Sequence, residues 1–182
     1  LLPAFLLGVA FSNLAHGVPI DADMNFTGNL FTLLNPYALL AGVTTVLVMT
    51  MHGATFLGLK TAGELRSKAR KTALRLWPVV VVFIIIFAIA TYFYTDILTS
   101  LGVNPGAAPL AGVISIVLSG FLLRRKLEGW SFAMTALTIV FSLVTMFLIM
   151  FPRVMISTTD PAYSLTIYNA ASSPYTLQVM TV

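Results

Sequence analysis

Long apolar runs separated by short polar segments are the dominant pattern of the chain. A helix needs about 20 mostly apolar residues to cross the hydrocarbon core of a bilayer, and four runs of about that length contain no Lys, Arg, Asp or Glu. Shorter apolar runs lie at both ends. The pattern predicts complete membrane spans over residues 36–59, 76–94, 106–123 and 130–151, a partial span over residues 1–11 and the start of another over residues 174–182.

Helices are the expected structure of these runs, because the backbone of a span must satisfy its hydrogen bonds within the segment. Three predicted starts pair a capping side chain with a proline that fits the first helical position. These pairs are Asn35-Pro36, Asn104-Pro105 and Ser173-Pro174. The predicted fold is all-α: a polytopic transmembrane helical bundle forming a single membrane domain over residues 1–182.

We also expect this chain to be a fragment of a larger subunit, truncated at both ends. It opens inside an apolar run at Leu1, without the basic flank and cleavage site of a signal peptide. It stops a few residues after the helix start at Pro174.

The overall composition strengthens the membrane prediction. Hydrophobic residues make up 58% of the chain and charged residues 9%, against about 45–50% and about 25% in soluble domains. Water as the solvent for most of the chain is therefore excluded. The sequence contains no cysteine, which excludes disulfides and thiolate metal sites.

The charged residues divide between alternating connections. Residues 60–75 and 124–128 hold nine of the ten basic residues, and the opposite side holds Arg153 alone with four of the six acids. The positive-inside rule places residues 60–75 and 124–128 in the cytoplasm. The basic cluster at residues 60–75 could contact lipid headgroups or a nucleotide, but we favour a topology signal carried by a short solvated helix. No nucleic-acid partner is expected, since the cations form no face of a folded domain.

The spans also differ in character. Residues 76–94 are bulky on all sides and suit contact with lipid. Residues 106–123 carry small side chains at a spacing that lets helices approach closely, so we expect this span to pack among others. The small residues are Ala111, Gly112, Ser115, Ser119 and Gly120.

Two histidines are the main candidates for chemistry. His16 follows the partial first span, as an interfacial polar residue, and His52 lies inside the second span. An ionisable side chain in a membrane is a functional candidate, although a hydrogen bond to a neighbouring helix is the interpretation we favour for His52. A haem ligand and a link in a proton relay stay open. No catalytic, cofactor-binding or metal site is assigned, and no P-loop, HExxH or GxSxG motif occurs.

A collinear set of motifs resembles one family. Residues 8–19 read GVAFSNLAHGVP, similar to the GVAFGNLLQGVP segment in subunit II of cytochrome bd-type quinol oxidases. The family's further motifs follow in order: TGNLF at 27–31, LLNPYALLAGV at 33–43, HGA at 52–54, KTAGEL at 60–65 and FPRVM at 151–155. The resemblance covers essentially the whole chain.

This resemblance implies the second large subunit of a terminal oxidase in a bacterial or archaeal cytoplasmic membrane. Such complexes oxidise membrane quinol, reduce dioxygen to water and contribute to the proton-motive force. The resemblance places haem b and haem d in the partner, subunit I, with no haem bound by this segment. Membrane lipid and a small accessory single-span subunit are the other partners it implies. The outer connection at residues 96–104 is much shorter than in some relatives.

Two other classes of protein remain as alternatives. A secondary transporter would have interrupted helices with ionisable residues in corresponding positions, a pattern that the sequence lacks. A purely structural membrane scaffold needs no chemistry of its own.

Overall fold

The structure is a computed structural model that describes residues 1–95 and 106–181. Most of it is helical, and a small two-stranded sheet lies near the end of the chain. The helices are α1 (Leu2–His16), α2 (Leu30–Leu33), α3 (Pro36–Lys60), α4 (Gly63–Tyr94), α5 (Ala108–Arg124), α6 (Glu128–Met150) and α7 (Pro174–Met180). The strands are β1 (Arg153–Met155) and β2 (Leu165–Thr166), and a single 3-10 turn covers Pro161–Tyr163.

Three of these helices, α3, α4 and α6, are long and apolar enough to cross a membrane. They contain the predicted spans over residues 36–59 and 76–94, and all but the last residue of the span predicted over residues 130–151. The fourth predicted span corresponds to α5, whose 17 described residues extend about 26 Å, slightly less than the roughly 30 Å of a bilayer core. The chain is a multi-pass membrane protein with an all-α fold, as predicted.

Two of the three predicted helix starts lie within the described residues. The side chain of Asn35 accepts a hydrogen bond from the backbone N–H of Ala38 at 2.8 Å, and Ser173 accepts one from that of Thr176 at 3.3 Å. The Asn104-Pro105 start and the short connection at residues 96–104 lie outside the described residues.

The basic segment at residues 60–75 differs from the prediction. We expected a short solvated helix apart from the third span, but α4 runs unbroken through 32 residues from Gly63 to Tyr94. Strong helix formers fill its first turns, and Glu64 pairs with Lys68 one turn later at 2.8 Å. Pro78 lies inside the helix without ending it. The basic segment is therefore a rigid extension of a span.

A hydrophobic cluster joins the middle of the bundle. Met51 of α3, Val80 of α4 and Ile116 of α5 are each at most 1% exposed and contact one another. Val81 packs against this cluster, whereas Val82 is 52% exposed. One side of α4, which we expected to suit lipid, is therefore packed inside the bundle, while the side that carries Val82 is uncovered in this chain.

Small side chains bring α5 close to its neighbours, as expected. Gly112, Ser115, Ser119 and Gly120 are all buried. A Cβ atom at Gly120 would overlap the indole of Trp77 on α4. The Trp77 ring N–H also donates a hydrogen bond to the Ile116 carbonyl at 2.8 Å. The absence of bulk at this position therefore lets α4 pack directly on α5.

Candidate functional site: the His52 seam

The intramembrane histidine contacts α6. His52 Nδ1 lies 2.8 Å from Thr135 Oγ1, and the Thr55 and Thr135 hydroxyl oxygens are 3.4 Å apart. Both threonines are 1% exposed. We call these three residues, His52, Thr55 and Thr135, the His52 seam. The hydrogen bond to a neighbouring helix that we expected of His52 is present.

The hydroxyl contacts favour one direction for the hydrogen bond between His52 and Thr135. Thr55 Oγ1 donates its proton to the His52 carbonyl at 2.8 Å, and Thr135 Oγ1 donates to the Phe132 carbonyl at 2.8 Å. A hydroxyl has one proton but two lone pairs. With its proton directed to Phe132, Thr135 Oγ1 has a lone pair available to accept a hydrogen bond from His52 Nδ1–H.

Aromatic rings hold the imidazole in this orientation. The His52 ring stacks on Phe132 with ring centroids 4.7 Å apart and an interplanar angle of 23°. Phe56, one turn after His52, packs against the same Phe132 ring at 5.7 Å. Phe132 and Thr135 are three residues apart and share a face of α6. One helix face therefore supplies both the stacking partner and the acceptor.

The other buried hydroxyls nearby also bond to backbone. Ser131 donates to the Ser119 carbonyl at 2.9 Å and so joins α6 to α5, while Thr138 donates to the Met134 carbonyl at 3.0 Å. A proton relay needs groups that exchange protons with one another. These hydroxyl groups instead donate to backbone carbonyl oxygens. Such an arrangement is typical of helix packing.

The described surroundings of His52 are contacts between packed helices. One face of the imidazole is covered by Phe132. The open groove on the adjacent part of α3 is lined by Met49, Gly53 and Phe56, with residues of α1 and α4, and His52 does not border it. Within residues 1–95 and 106–181, no group of three His, Cys, Asp or Glu side chains could hold a metal ion.

His16 belongs to a separate aromatic cluster. Its Nδ1–H donates to the Tyr94 carbonyl at 2.6 Å, at the last residue of α4. Its ring packs near Tyr37, which stacks on Phe87 with centroids 5.3 Å apart. Tyr37 precedes His52 by 15 residues in α3, or about 22 Å. The structure therefore keeps the two histidines apart.

Sequence reasoning missed a polar network at the basic ends of the helices. Glu128, the first residue of α6, is 5% exposed and pairs with Arg66 at 2.9 Å. Arg70 donates to the carbonyls of Leu123 and Arg124, at 2.8 and 3.2 Å. These cations tie α4 to α5 and α6. The sequence signal that could have revealed this network is Glu128, an acid in a segment whose other charged residues are basic.

The fold and the seam define a polytopic helical membrane protein in which an intramembrane histidine bridges two helices. Residues 1–182 match the family model for cytochrome bd terminal oxidase subunit II. The chain belongs to this family, as its motifs indicated.

Individual relatives agree with the family model. The chain is 39% identical over 182 residues to cytochrome bd ubiquinol oxidase subunit 2 of Bacillus subtilis (strain 168), covering 100% of this chain and 54% of the relative. It is 33% identical over 216 residues to cytochrome bd-I ubiquinol oxidase subunit 2 of Escherichia coli (strain K12), covering 99% of this chain and 56% of the relative. Identity to the probable cytochrome oxidase subunit 2 of Haemophilus influenzae is 30% over 214 residues, covering 100% and 56%. The chain thus spans about half the length of these curated relatives.

Proposed function

We propose that the chain is part of the second large subunit of a cytochrome bd-type terminal oxidase. The complex oxidises membrane quinol, reduces dioxygen to water and contributes to the proton-motive force. The observation that carries this proposal is the match of the whole chain to the subunit II family. The names of the relatives, which are ubiquinol oxidase subunits, support the substrate class.

The haems belong, in this proposal, to the partner, subunit I. Haem b and haem d need axial ligands, and the described contacts of His52, to Thr135 and Phe132, are those of a side chain that joins two helices. The contribution of this chain is then structural: it holds a helical bundle against the haem-bearing subunit. A small accessory single-span subunit is a further proposed partner.

We place the basic ends of the helices in the cytoplasm. The nine-to-one division of basic residues and the continuity of residues 63–75 with the span of α4 support this orientation, since short basic segments next to a span are retained on the cytoplasmic side. The loops that contain Asp23 and Thr159 then face outwards, in a bacterial or archaeal cytoplasmic membrane.

For His52 we propose a structural role, as the hydrogen-bonded link between α3 and α6. The bond to Thr135 and the stacking on Phe132 support this role. A proton-transfer role would need His52 to exchange protons with a further group, and the neighbouring hydroxyls donate to backbone carbonyls.

Affinity purification through a tag on the full-length protein tests the proposed complex. We expect a haem-bearing partner subunit to copurify, with b-type and d-type bands in the dithionite-reduced absorption spectrum. A haem-free preparation that reconstitutes solute uptake would favour the secondary transporter. A haem-free preparation without transport would favour the scaffold. The uninterrupted course of α3 and α6 argues against the broken helices typical of transporters.

A further inference from the structure

The basic ends of the helices carry more positive charge than their acids can neutralise. Glu64 pairs with Lys68 and Glu128 with Arg66, and these are the ion pairs found among residues 1–95 and 106–181. The other cations on this side form no ion pair in the described part of the chain. They are Lys60, Arg70, Lys71, Arg75, Arg124, Arg125 and Lys126. The densest group is the turn between α5 and α6, with three consecutive exposed cations.

This turn is held in a fixed position. Arg70 of α4 donates to the Leu123 and Arg124 carbonyls, at the end of α5. The Arg124 guanidinium lies over the Trp77 ring, 4.9 Å from its centroid. These contacts order the turn before any ligand arrives, which reduces the entropic cost of binding.

Arg125, the next cation of the turn, lies at the end of an apolar face of α5. The Arg125 guanidinium lies 5.0 Å from the centroid of the Phe121 ring, one turn earlier. Phe121, Leu118 and Ile114 continue this side of α5 and are 51%, 43% and 57% exposed. The result is an uncovered apolar strip about two turns long that leads directly to a cation.

Lys126 occupies a backbone conformation that favours glycine. Its φ is +63°, in the left-handed region that costs a residue with a Cβ atom energy. The Leu127 N–H bonds to the Leu122 carbonyl and the Lys126 N–H to the Leu123 carbonyl, the bonding pattern of a helix end that usually has glycine at this position. Lysine at a strained position is consistent with a use for its charge.

We propose that the α5–α6 turn binds an anionic phospholipid. The Arg125 and Lys126 side chains hold the headgroup phosphate, and an acyl chain lies along Ile114, Leu118 and Phe121. A lipid fits both parts of the surface, because it carries a negative charge and an apolar chain in the same order along the membrane normal. The inference rests on the membrane placement of α5 and not on oxidase activity.

The test uses the purified complex in nanodiscs of phosphatidylcholine and phosphatidylglycerol. The measured quantity is the association of spin-labelled phosphatidylglycerol relative to spin-labelled phosphatidylcholine, from the motionally restricted part of the spectrum. The test variant combines Arg125→Gln with Lys126→Gly. The control combines Lys68→Gln with Arg75→Gln, which removes two charges on the same side of the membrane. These residues lie about 160° and 140° around the α4 axis from Arg70, the α4 residue that contacts the turn.

We expect the test variant to lose relative association with phosphatidylglycerol by about fivefold for each cation removed, and the control variant to keep it. An equal loss in both variants would show diffuse surface charge and overturn the proposed site, as would full retention in the test variant. Loss of a partner subunit from the test variant would identify the face as a protein interface instead. Lys126→Gly alone should keep or raise the melting temperature, because glycine relieves the left-handed backbone, so lost lipid selectivity would not reflect unfolding.

Discussion

Replacing Thr135 by Val removes the oxygen to which His52 donates while leaving the side-chain volume nearly unchanged. An interhelical hydrogen bond in a bilayer contributes about 0.6 kcal/mol on average and up to about 1.7 kcal/mol. The His52 bond is short, at 2.8 Å, and its acceptor is 1% exposed. We therefore expect Thr135→Val to weaken the α3–α6 contact by about 1 kcal/mol, or about fivefold in the ratio of assembled to unassembled protein.

A double-mutant cycle isolates this bond. His52→Leu, Thr135→Val and the combined variant are compared by the yield of assembled complex and by its melting temperature. The two single changes remove the same bond, so the double variant should be less impaired than the sum of the two, by about 0.6–1.7 kcal/mol. Thr135→Ser keeps the hydroxyl and serves as the control. Strict additivity would show that the 2.8 Å contact contributes nothing.

His52→Gln separates a structural role from proton transfer. An amide can still donate to Thr135 but does not readily titrate, so we expect near-normal assembly and most of the oxygen-consuming turnover. His52→Leu should lower the amount of complex more than the turnover of what assembles. Normal assembly of His52→Gln with abolished turnover would refute the structural role and assign His52 to proton transfer.

Three further predictions follow from the packing and the topology. A cysteine at Ser67 should react with an impermeant reagent only after the cytoplasmic face is opened, and one at Asp23 should react in intact cells; the reverse pattern contradicts the orientation. Gly120→Leu should lower the yield of folded protein, since overpacking costs about 1–3 kcal/mol, while Val82→Leu, at a half-exposed position, should leave it unchanged; equal yields would argue against this packing. Arg70→Gln should lower the free energy of unfolding by about 1–2 kcal/mol in a thermal melt, because two carbonyls at the end of α5 lose their charged donor; an unchanged melt would show that these hydrogen bonds are not stabilising.

The helices of the apolar runs were predictable because a bilayer imposes a strong constraint. A run of about 20 apolar residues has few alternatives to a helix, and small residues in the fourth span indicated close packing before any neighbour was known. The boundary at Arg75 was less predictable. A change from charged to apolar residues marks where a helix enters the membrane, but the backbone can continue across it, as α4 does from Gly63 to Tyr94.

The partners of the polar side chains could not be read from the sequence. A hydrogen bond from His52 to another helix was foreseeable, since an intramembrane imidazole needs a partner. Its choice of Thr135 depends on which faces of α3 and α6 meet, and threonines occur throughout the chain. Trp77 likewise stands at the predicted end of a span, but its ring N–H bonds to the Ile116 carbonyl of α5. Such pairings are tertiary properties.

Quinol-driven oxygen uptake by the complex purified through the full-length protein tests the central claim most directly. The account predicts that adding a reduced quinol starts oxygen consumption, measured with an oxygen electrode, and that the activity copurifies with the b-type and d-type haem bands. A well-folded complex containing this chain that consumes no oxygen with any membrane quinol, and carries no haem, would contradict it.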